Sequence, residues 1–458
     1  MHSLNLTTRL ARNFAQKAKP TLLNARFASS LPKPIREITH PDDKVSQETL
    51  NTVERFNKYT MTTYGRPNVI ISRGKGCYLY DTNDRAYLDF TAGIAVCALG
   101  HSDPEVAKVL YDQASQLVHT SNLYYNDKAG ELAEKIVTTT QQNGGQWASR
   151  IFLANSGTEA NEGALKFARK WGKHVTGSDS TTKTGLVSFV NGFHGRSMGA
   201  LSATYNPKYQ IPFAPLIPGF SSIPYNDIDQ ALKTINDDTC GVIVEPFQGE
   251  GGVHAAKTEF LEALRKRCDE TGALLIFDEI QCGLGRTGKL WGHEHHSDIC
   301  KPDVLTMAKP LANGVPIGAV LTTEKVSEMI KPGDHGTTFG GNPLAAGVAL
   351  NVFGRLSAPS FLESVTEKGK ALKDDLKNLQ EAYPDVIKEV RGEGLLLGIE
   401  LVKDPAPIVK MARERGLLVV TAGNNTVRVV PPLVLTKEEA REGIARLAGA
   451  IEEFKNTL

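Results

Sequence analysis

Two short apolar runs, each ending in a charged residue, constrain this chain more than anything else in it. Ala273-Leu-Leu-Ile-Phe277 leads into Asp278-Glu279, and Val304-Leu-Thr-Met-Ala308 leads into Lys309-Pro310. Apolar runs without alternation read as strands buried on both faces of a parallel sheet. Open α/β sheets bind ligands outside the carboxyl ends of their strands. Asp278 and Lys309 are therefore expected on one rim, a carboxylate and an amine at the mouth of a crevice. An amine there can condense with an aldehyde, and a buried carboxylate beside it can hold a protonated ring nitrogen. An ordinary ion pair at the strand ends accounts for these two residues equally well. The rest of the chain has to choose.

At 458 residues the chain is too long for one simple core, so two domains or one elaborated domain is expected. A net charge of +1 advertises neither nucleic acid nor a membrane surface as partner. No apolar run approaches the ~20 residues of a membrane-spanning helix. The six cysteines form no CxxC pair, which predicts free thiols in a reducing compartment. The opening stretch, residues 1–36, has a different character. It carries Arg9, Arg12, Lys17, Lys19, Arg26, Lys33 and Arg36 with no acidic residue, and Leu4, Leu6, Leu10 and Phe14 can share one helix face. That pattern predicts a mitochondrial transit peptide with a processing site around Ala25–Ser30, and hence a matrix protein.

Residues 37–92 read as an N-terminal segment packing with a small domain. They hold a helical patch from Val45 to Phe56 and a hairpin from Tyr78 to Asp89 that turns at Asn83-Asp84. From Pro104 helices alternate with short apolar strands, at Ile151-Phe-Leu, Leu186–Val190, Val242-Ile-Val, Leu274–Phe277 and Val304-Leu-Thr. The fold class is therefore α/β, with a mainly parallel sheet flanked by helices in a large domain over 93–346. Residues 177–184 read as a polar loop. Residues 347–458 read as a smaller α+β domain, with a long helical stretch, a strand pattern over Glu389–Leu401 and a last amphipathic helix.

Within the large domain, Ile151-Phe-Leu runs into Asn155-Ser-Gly-Thr-Glu and then a helix. Ser156, Gly157 and Thr158 stand where the free N–H groups of a first helical turn point outward, beside side chains small enough to admit an anion. This is a phosphate site by helix-terminus physics, or else a plain N-cap. Gly283-Leu-Gly-Arg-Thr-Gly288 matches GxGxxG by letters, but it is separated from its strand and no helical period follows it. His293-Glu-His-His296 has no second ligand pair at useful spacing, so a packed or solvated cluster is expected rather than a metal site. A phosphate-binding helix start, a rim carboxylate and a rim lysine together describe a site for pyridoxal 5'-phosphate.

The motifs now carry a resemblance. Ser156-Gly-Thr-Glu-Ala160, Phe193-His-Gly-Arg196, Glu245-Pro-Phe-Gln-Gly-Glu250, Phe277-Asp-Glu-Ile-Gln281, Ala308-Lys309 and Thr337-Thr-Phe-Gly-Gly-Asn-Pro343 stand in the order and spacing of the class III aminotransferases. The chain resembles that family from about residue 40 onward. The resemblance implies fold type I, with a seven-stranded sheet. It also implies that Lys309 carries the cofactor and moves the proton, and that Asp278 pairs with the ring nitrogen. Gly157 and Thr158 hold the phosphate, completed by Thr338 from the partner subunit of a homodimer. Phe193 stacks on the ring, Gln281 reaches the ring hydroxyl, and Thr337 lies with the substrate residues.

The substrates implied are N-acetylornithine, reacting at its δ-amine, and 2-oxoglutarate, with ornithine or 4-aminobutyrate as alternative amines. A catalytically inactive relative is the alternative of another class, and the retention of Lys309 speaks against it. Two carboxylates need two bidentate arginines. Arg196 is expected on the distal carboxylate and Arg428, in Val427-Arg-Val-Val-Pro-Pro432, on the α-carboxylate of glutamate. Glu250 is expected to pair with Arg428 when no α-carboxylate is bound. Ile94, where the ornithine enzyme uses a tyrosine, favours an acylated amine.

Overall fold

The computed structural model describes residues 31–177 and 181–457. Most of the expected leader therefore lies outside the described residues, as does the middle of the polar loop at 177–184. Residues 31–36, assigned above to the leader, lie against the last helix: Ile35 N–H donates to the Ala445 carbonyl, and Arg36 pairs with Glu452 at 2.5 Å.

A seven-stranded sheet organises the chain. Its strands lie in the order Arg150–Ala154, Gly318–Thr322, Val304–Met307, Leu274–Asp278, Thr239–Val244, Gly185–Phe189 and Phe220–Ile223. Every neighbouring pair is parallel except the two involving Gly318–Thr322. All five expected strands are present. Two strands were not anticipated: Phe220–Ile223, whose centre is Ser221-Ser222, and Gly318–Thr322, which turns back against its neighbours and breaks the run of parallel pairs.

The period-2 alternation of a strand decides which side chain faces which helix. Leu275 and Phe277 pack with Phe260, Leu261 and Leu264 of the helix Thr258–Thr271. Leu274 and Ile276 pack on the other face with Ala160, Ala164 and Phe167 of the helix Gly157–Thr176. Asp278, next in parity with Ile276, falls on the side of that second helix, and this places its carboxylate where the helix begins.

A second, antiparallel sheet of four strands (order Ile387–Glu393, Leu396–Leu401, Thr426–Val429, Val420–Ala422) lies near the C-terminus with the helices Pro359–Ala382 and Lys437–Lys455. The strand pattern over Glu389–Leu401 is in fact a hairpin of two strands. Gly394 makes the turn possible, because its φ of 55° brings it against the backbone of Thr287, where a Cβ would sit 2.5 Å from a carbonyl carbon. The helix Pro343–Leu356 spans the boundary drawn at 347. The hairpin of Tyr78–Asp81 and Ala86–Asp89 forms as expected, and Leu417–Leu418 joins it in parallel. Among the described residues no helix is long and apolar enough to cross a membrane, and all six cysteines are free.

Candidate active site

The carboxyl ends of the central strands open into a cavity of about 450 Å³ lined by Asp278, Lys309, Gly157, Thr158, Phe193 and Arg196, among others. The structure thus brings together at one rim the residues that the sequence had scattered over 150 positions.

The floor is a closed polar network. Asp278 is 3 % exposed and ends the strand Leu274–Asp278 in register with Thr306. Its Oδ2 accepts from Asn161 Nδ2 and from His194 Nδ1, both at 2.8 Å, and its Oδ1 accepts from the Ile280 N–H at 3.1 Å. Asn161 also donates to the His194 carbonyl at 2.7 Å, while its Oδ1 accepts from the Thr306 hydroxyl at 2.8 Å. One amide therefore ties together the carboxylate, the neighbouring strand and the loop bearing Phe193. Beneath that loop, buried Glu245 accepts from the N–H groups of Phe193 and Gly249. Burial, reinforced by the charge of Asp278 and opposed by His194, pushes Glu245 up to about 7. Asn161, His194, Thr306 and Glu245 had no assigned role. Two of them stand inside quoted motifs, but only three-dimensional contact reveals what they hold.

Lys309 opens a short 3-10 turn directly after the strand Val304–Met307. Burial pulls its amine below the ordinary lysine range, and the charge of Asp278 opposes that shift. A lysine in that condition supplies free amine more readily, as condensation with an aldehyde requires. Ser156 caps the helix Gly157–Thr176 by accepting from the Glu159 N–H at 3.3 Å. The Thr158 hydroxyl shares a 2.7 Å hydrogen bond with Ser197. Glycine leaves room at 157, where a Cβ would sit 2.9 Å from the Ile280 side chain, and is demanded at 195, where φ is 135° and a Cβ would meet Thr158 Oγ1 at 2.3 Å. Both close approaches keep the helix start bare, so an anion can reach it. A planar aromatic aldehyde bearing a phosphate fits this set: helix N–H groups at one end, a carboxylate held by two side chains at another, a lysine between.

The family question can be decided at this point. The sequence profile described as Aminotransferase class-III matches residues 59–451. The chain is a class III aminotransferase. It is 55% identical over 402 residues to the mitochondrial acetylornithine aminotransferase of Yarrowia lipolytica, covering 88% of this chain and 96% of that protein. It is 51% identical over 417 residues to the Neurospora crassa protein of the same name (91% and 90% covered). Among solved structures, the ornithine aminotransferase of Toxoplasma gondii matches with a TM-score of 0.84 at 33% identity, covering 91% of this chain and 97% of that one. The N-acetylornithine aminotransferase of Stenotrophomonas maltophilia matches with a TM-score of 0.74 at 38% identity (89% and 100%). This class III enzyme is pyridoxal-phosphate dependent and has the fold-type I architecture.

The residues expected at the substrate end depart from the expected pairings, and two of them lie outside this lining: Arg428 meets it through Gln281, and Glu250 lines a neighbouring cavity of about 340 Å³ with Tyr209 and Phe193. Arg428, on the strand Thr426–Val429, is 3 % exposed and donates Nη1 to Gln281 Oε1 at 2.8 Å. Gln281, assigned to the ring hydroxyl, is thus engaged with Arg428. Among the described residues no carboxylate lies within ion-pair distance of Arg428, and its buried Nε has no partner. Burial lowers the guanidinium's pKa, with the charge of Glu250 the largest opposing influence. Glu250 is held elsewhere: its Oε1 accepts from the Tyr209 hydroxyl at 2.8 Å, and its buried Oε2 is unpartnered. Arg196 is exposed, with its guanidinium 3.6 Å over the Tyr209 ring and 5.8 Å from that of Phe193. Tyr209 appeared in no motif and was missed.

Three other assigned residues lie off the cavity, as do the two dismissed motifs. Thr337 Oγ1 accepts from Asn155 Nδ2 at 3.0 Å, while Thr338 is exposed. Ile94 is also exposed, at a φ of 66°, and Val96 lines the cavity instead. Arg286, inside the GxGxxG lookalike, is buried and donates to the carbonyls of Leu395 and Pro431. His293, of the histidine cluster, donates its N–H at 2.8 Å and places its ring against buried Glu279.

Proposed function

We propose that this class III enzyme passes the δ-amino group of N-acetylornithine to 2-oxoglutarate, giving N-acetylglutamate 5-semialdehyde and glutamate, in the mitochondrial matrix. The observation carrying the reading is a pair of arginines at the Lys309 cavity: Arg196 in its lining, and Arg428 hydrogen-bonded to Gln281, which also lines it. The relatives in Yarrowia lipolytica, Neurospora crassa and Saccharomyces cerevisiae, each named mitochondrial acetylornithine aminotransferase, support it. Bound pyridoxal phosphate supplies an electron sink for the carbanion formed at the substrate carbon.

The chain supplies the rest. Asp278 holds the ring nitrogen's proton, fixed in direction by Asn161 and His194. Gly157, Thr158 and the helix start hold the phosphate, with Thr338 of a second copy completing it. Phe193 covers the ring face. Lys309 Nζ carries the cofactor at rest and then moves the proton between the two carbons. Arg196 binds the distal carboxylate common to both substrates, with Thr337 nearby. Arg428 binds the α-carboxylate of glutamate.

The exposed apolar surface beside Thr338 supports a homodimer. Asn122 donates to the carbonyls of Thr337 and Gly340, and this packing leaves Leu123, Tyr124, Tyr125 and Phe339 outside. Such a cluster reads as an interface. The chain divides functionally into the leader, an N-terminal segment, the cofactor-binding domain and the C-terminal domain.

The deciding assay sets the purified protein with 2-oxoglutarate against acetylornithine, ornithine and 4-aminobutyrate. The kcat/KM for acetylornithine should exceed that for ornithine and for 4-aminobutyrate. Equal values overturn the substrate. Borohydride should fix the cofactor to the peptide containing Lys309 and to no other.

A further inference from the structure

Next to the lysine-bearing cavity stand two buried, unpartnered atoms of oppositely charged groups, Arg428 Nε behind Gln281 and Glu250 Oε2 at a neighbouring cavity that shares Phe193. Left alone, such a pair is drawn together, because the attraction between opposite charges strengthens where burial lowers the dielectric. Here it stays open. Among the described residues the side chain of Glu250 is held by the 2.8 Å hydrogen bond from the Tyr209 hydroxyl to its Oε1, while its backbone carbonyl accepts from the Gly423 N–H. The same tyrosine ring carries the Arg196 guanidinium at 3.6 Å. Tyr209 reaches both from the four-residue helical turn Pro207–Gln210, whose start is capped by Asn206. It thus touches one arginine directly and governs the counter-ion of the other.

We propose that Tyr209 is the positioning residue that sets the carboxylate selectivity of the site: its hydroxyl holds Glu250 off Arg428, leaving Arg428 open to an incoming α-carboxylate, while its ring presents Arg196 to the distal one. The proposal rests on the reading above that Arg196 and Arg428 receive the two carboxylates. Acetylornithine has no carboxylate beside its reacting carbon, so it does not use an open Arg428. Glutamate and 2-oxoglutarate do. Loss of the hydroxyl frees Glu250 to swing onto Arg428, and a dicarboxylate then has to displace it. Burial, with the Glu250 hydrogen bond second, raises the pKa of the Tyr209 phenol, so it remains a donor across the working pH range.

Tyr209→Phe removes the hydroxyl and keeps the ring under Arg196. Glutarate, which has both carboxylates of glutamate and no amine to react, is the probe, and its Kd on the cofactor-loaded enzyme is read by calorimetry. A hydrogen bond to a charged acceptor corresponds to roughly a tenfold change, so the Kd should rise by about that factor. Single-turnover measurements should show the ratio of glutamate to acetylornithine half-reaction specificity falling by the same factor. In a Glu250→Ala background, Tyr209→Phe should move neither quantity by as much as about twofold, because nothing remains to swing. An unchanged Kd in the single variant overturns the proposal. So does an equal shift in both backgrounds, which marks a merely structural tyrosine. Melting temperatures check that all three variants fold. If the unmodified enzyme prefers another amine, the substrate reading is corrected while the glutarate comparison stands. If glutarate does not compete with 2-oxoglutarate, the assignment of the two arginines itself fails.

Discussion

The two ends of the cavity are built on opposite rules. At the cofactor end, around Asp278, the side chains satisfy one another. Asn161, His194, Thr306 and the Ile280 N–H form a network in which each carboxylate oxygen has a partner before any ligand arrives. At the substrate end, around Arg428, buried charge is left unpaired on both sides of a gap. An unpaired buried polar group costs free energy, so it persists where function needs it. The cofactor is one molecule that stays, and a rigid frame suits it. The substrates alternate, one with an α-carboxylate and one without, and a site satisfied for either would reject the other. The open end is the consequence of serving both.

The comparison is sharpest if the closed network is cut. Asn161→Ala leaves the Thr306 hydroxyl, the His194 carbonyl and one Asp278 contact without partners in a buried place. Each such group costs about 1–3 kcal/mol, and the losses are coupled because one amide serves all three. A destabilisation of about 3 kcal/mol is expected in denaturant unfolding, along with weaker cofactor retention on dialysis. Ordinary stability with intact cofactor binding would mean that the network is not what holds Asp278.

The matching cut at the open end should behave differently. Glu250→Ala removes a group with one unsatisfied oxygen and one hydrogen bond, so stability should change by less than about 1 kcal/mol. Its effect belongs in selectivity. With its negative charge gone from the neighbourhood of Arg428, an incoming α-carboxylate meets less repulsion, so glutamate should gain on acetylornithine as amino donor by roughly 3- to 10-fold, the scale of a partly screened charge interaction. Equal slowing of both half-reactions would remove the distinction between the two ends.

These two regions also differ in how far the sequence discloses them. Asp278 and Lys309 were readable because strand burial and strand ends follow from apolar runs, and the rim of a parallel sheet is where such ends meet. Gly157 and Thr158 were readable because a helix start announces itself by small and capping residues. Asn161 was not, since an asparagine one turn into a helix looks like surface until the parity of the strand Leu274–Asp278 puts the carboxylate beside it. Tyr209 was hidden more deeply. It sits in an irregular stretch with no period, and what matters is a contact with Glu250 across 41 positions. The Glu250–Arg428 pair was expected from the family resemblance, and a likeness in motifs cannot register a third residue outside them that holds one partner away. Gly318–Thr322 escaped because nothing in a short apolar run states its direction.

The last prediction concerns Lys309, where the two ends meet. Its amine feels burial, which lowers its pKa, and the charge of Asp278, which raises it, with burial the larger. Its pKa in the folded, cofactor-free protein therefore lies below the ordinary 10.5. The sign for stability follows. Between the lowered value and 10.5 the unfolded chain binds a proton that the folded chain does not, so stability rises with pH across that window and is flat with respect to this group below it. Competitive acetylation of the cofactor-free protein, read by mass spectrometry at the Lys309 peptide against surface lysines, gives the amine's titration directly. Its midpoint should fall below theirs. In Asp278→Asn the opposing charge is gone while most of the burial remains, so the midpoint should move lower still. A midpoint that moves up in that variant would mean the carboxylate acts on Lys309 mainly through shape. A midpoint indifferent to it would mean that the frame around Asp278 is electrostatically insulated from the lysine, and that the two ends of the cavity are tuned separately.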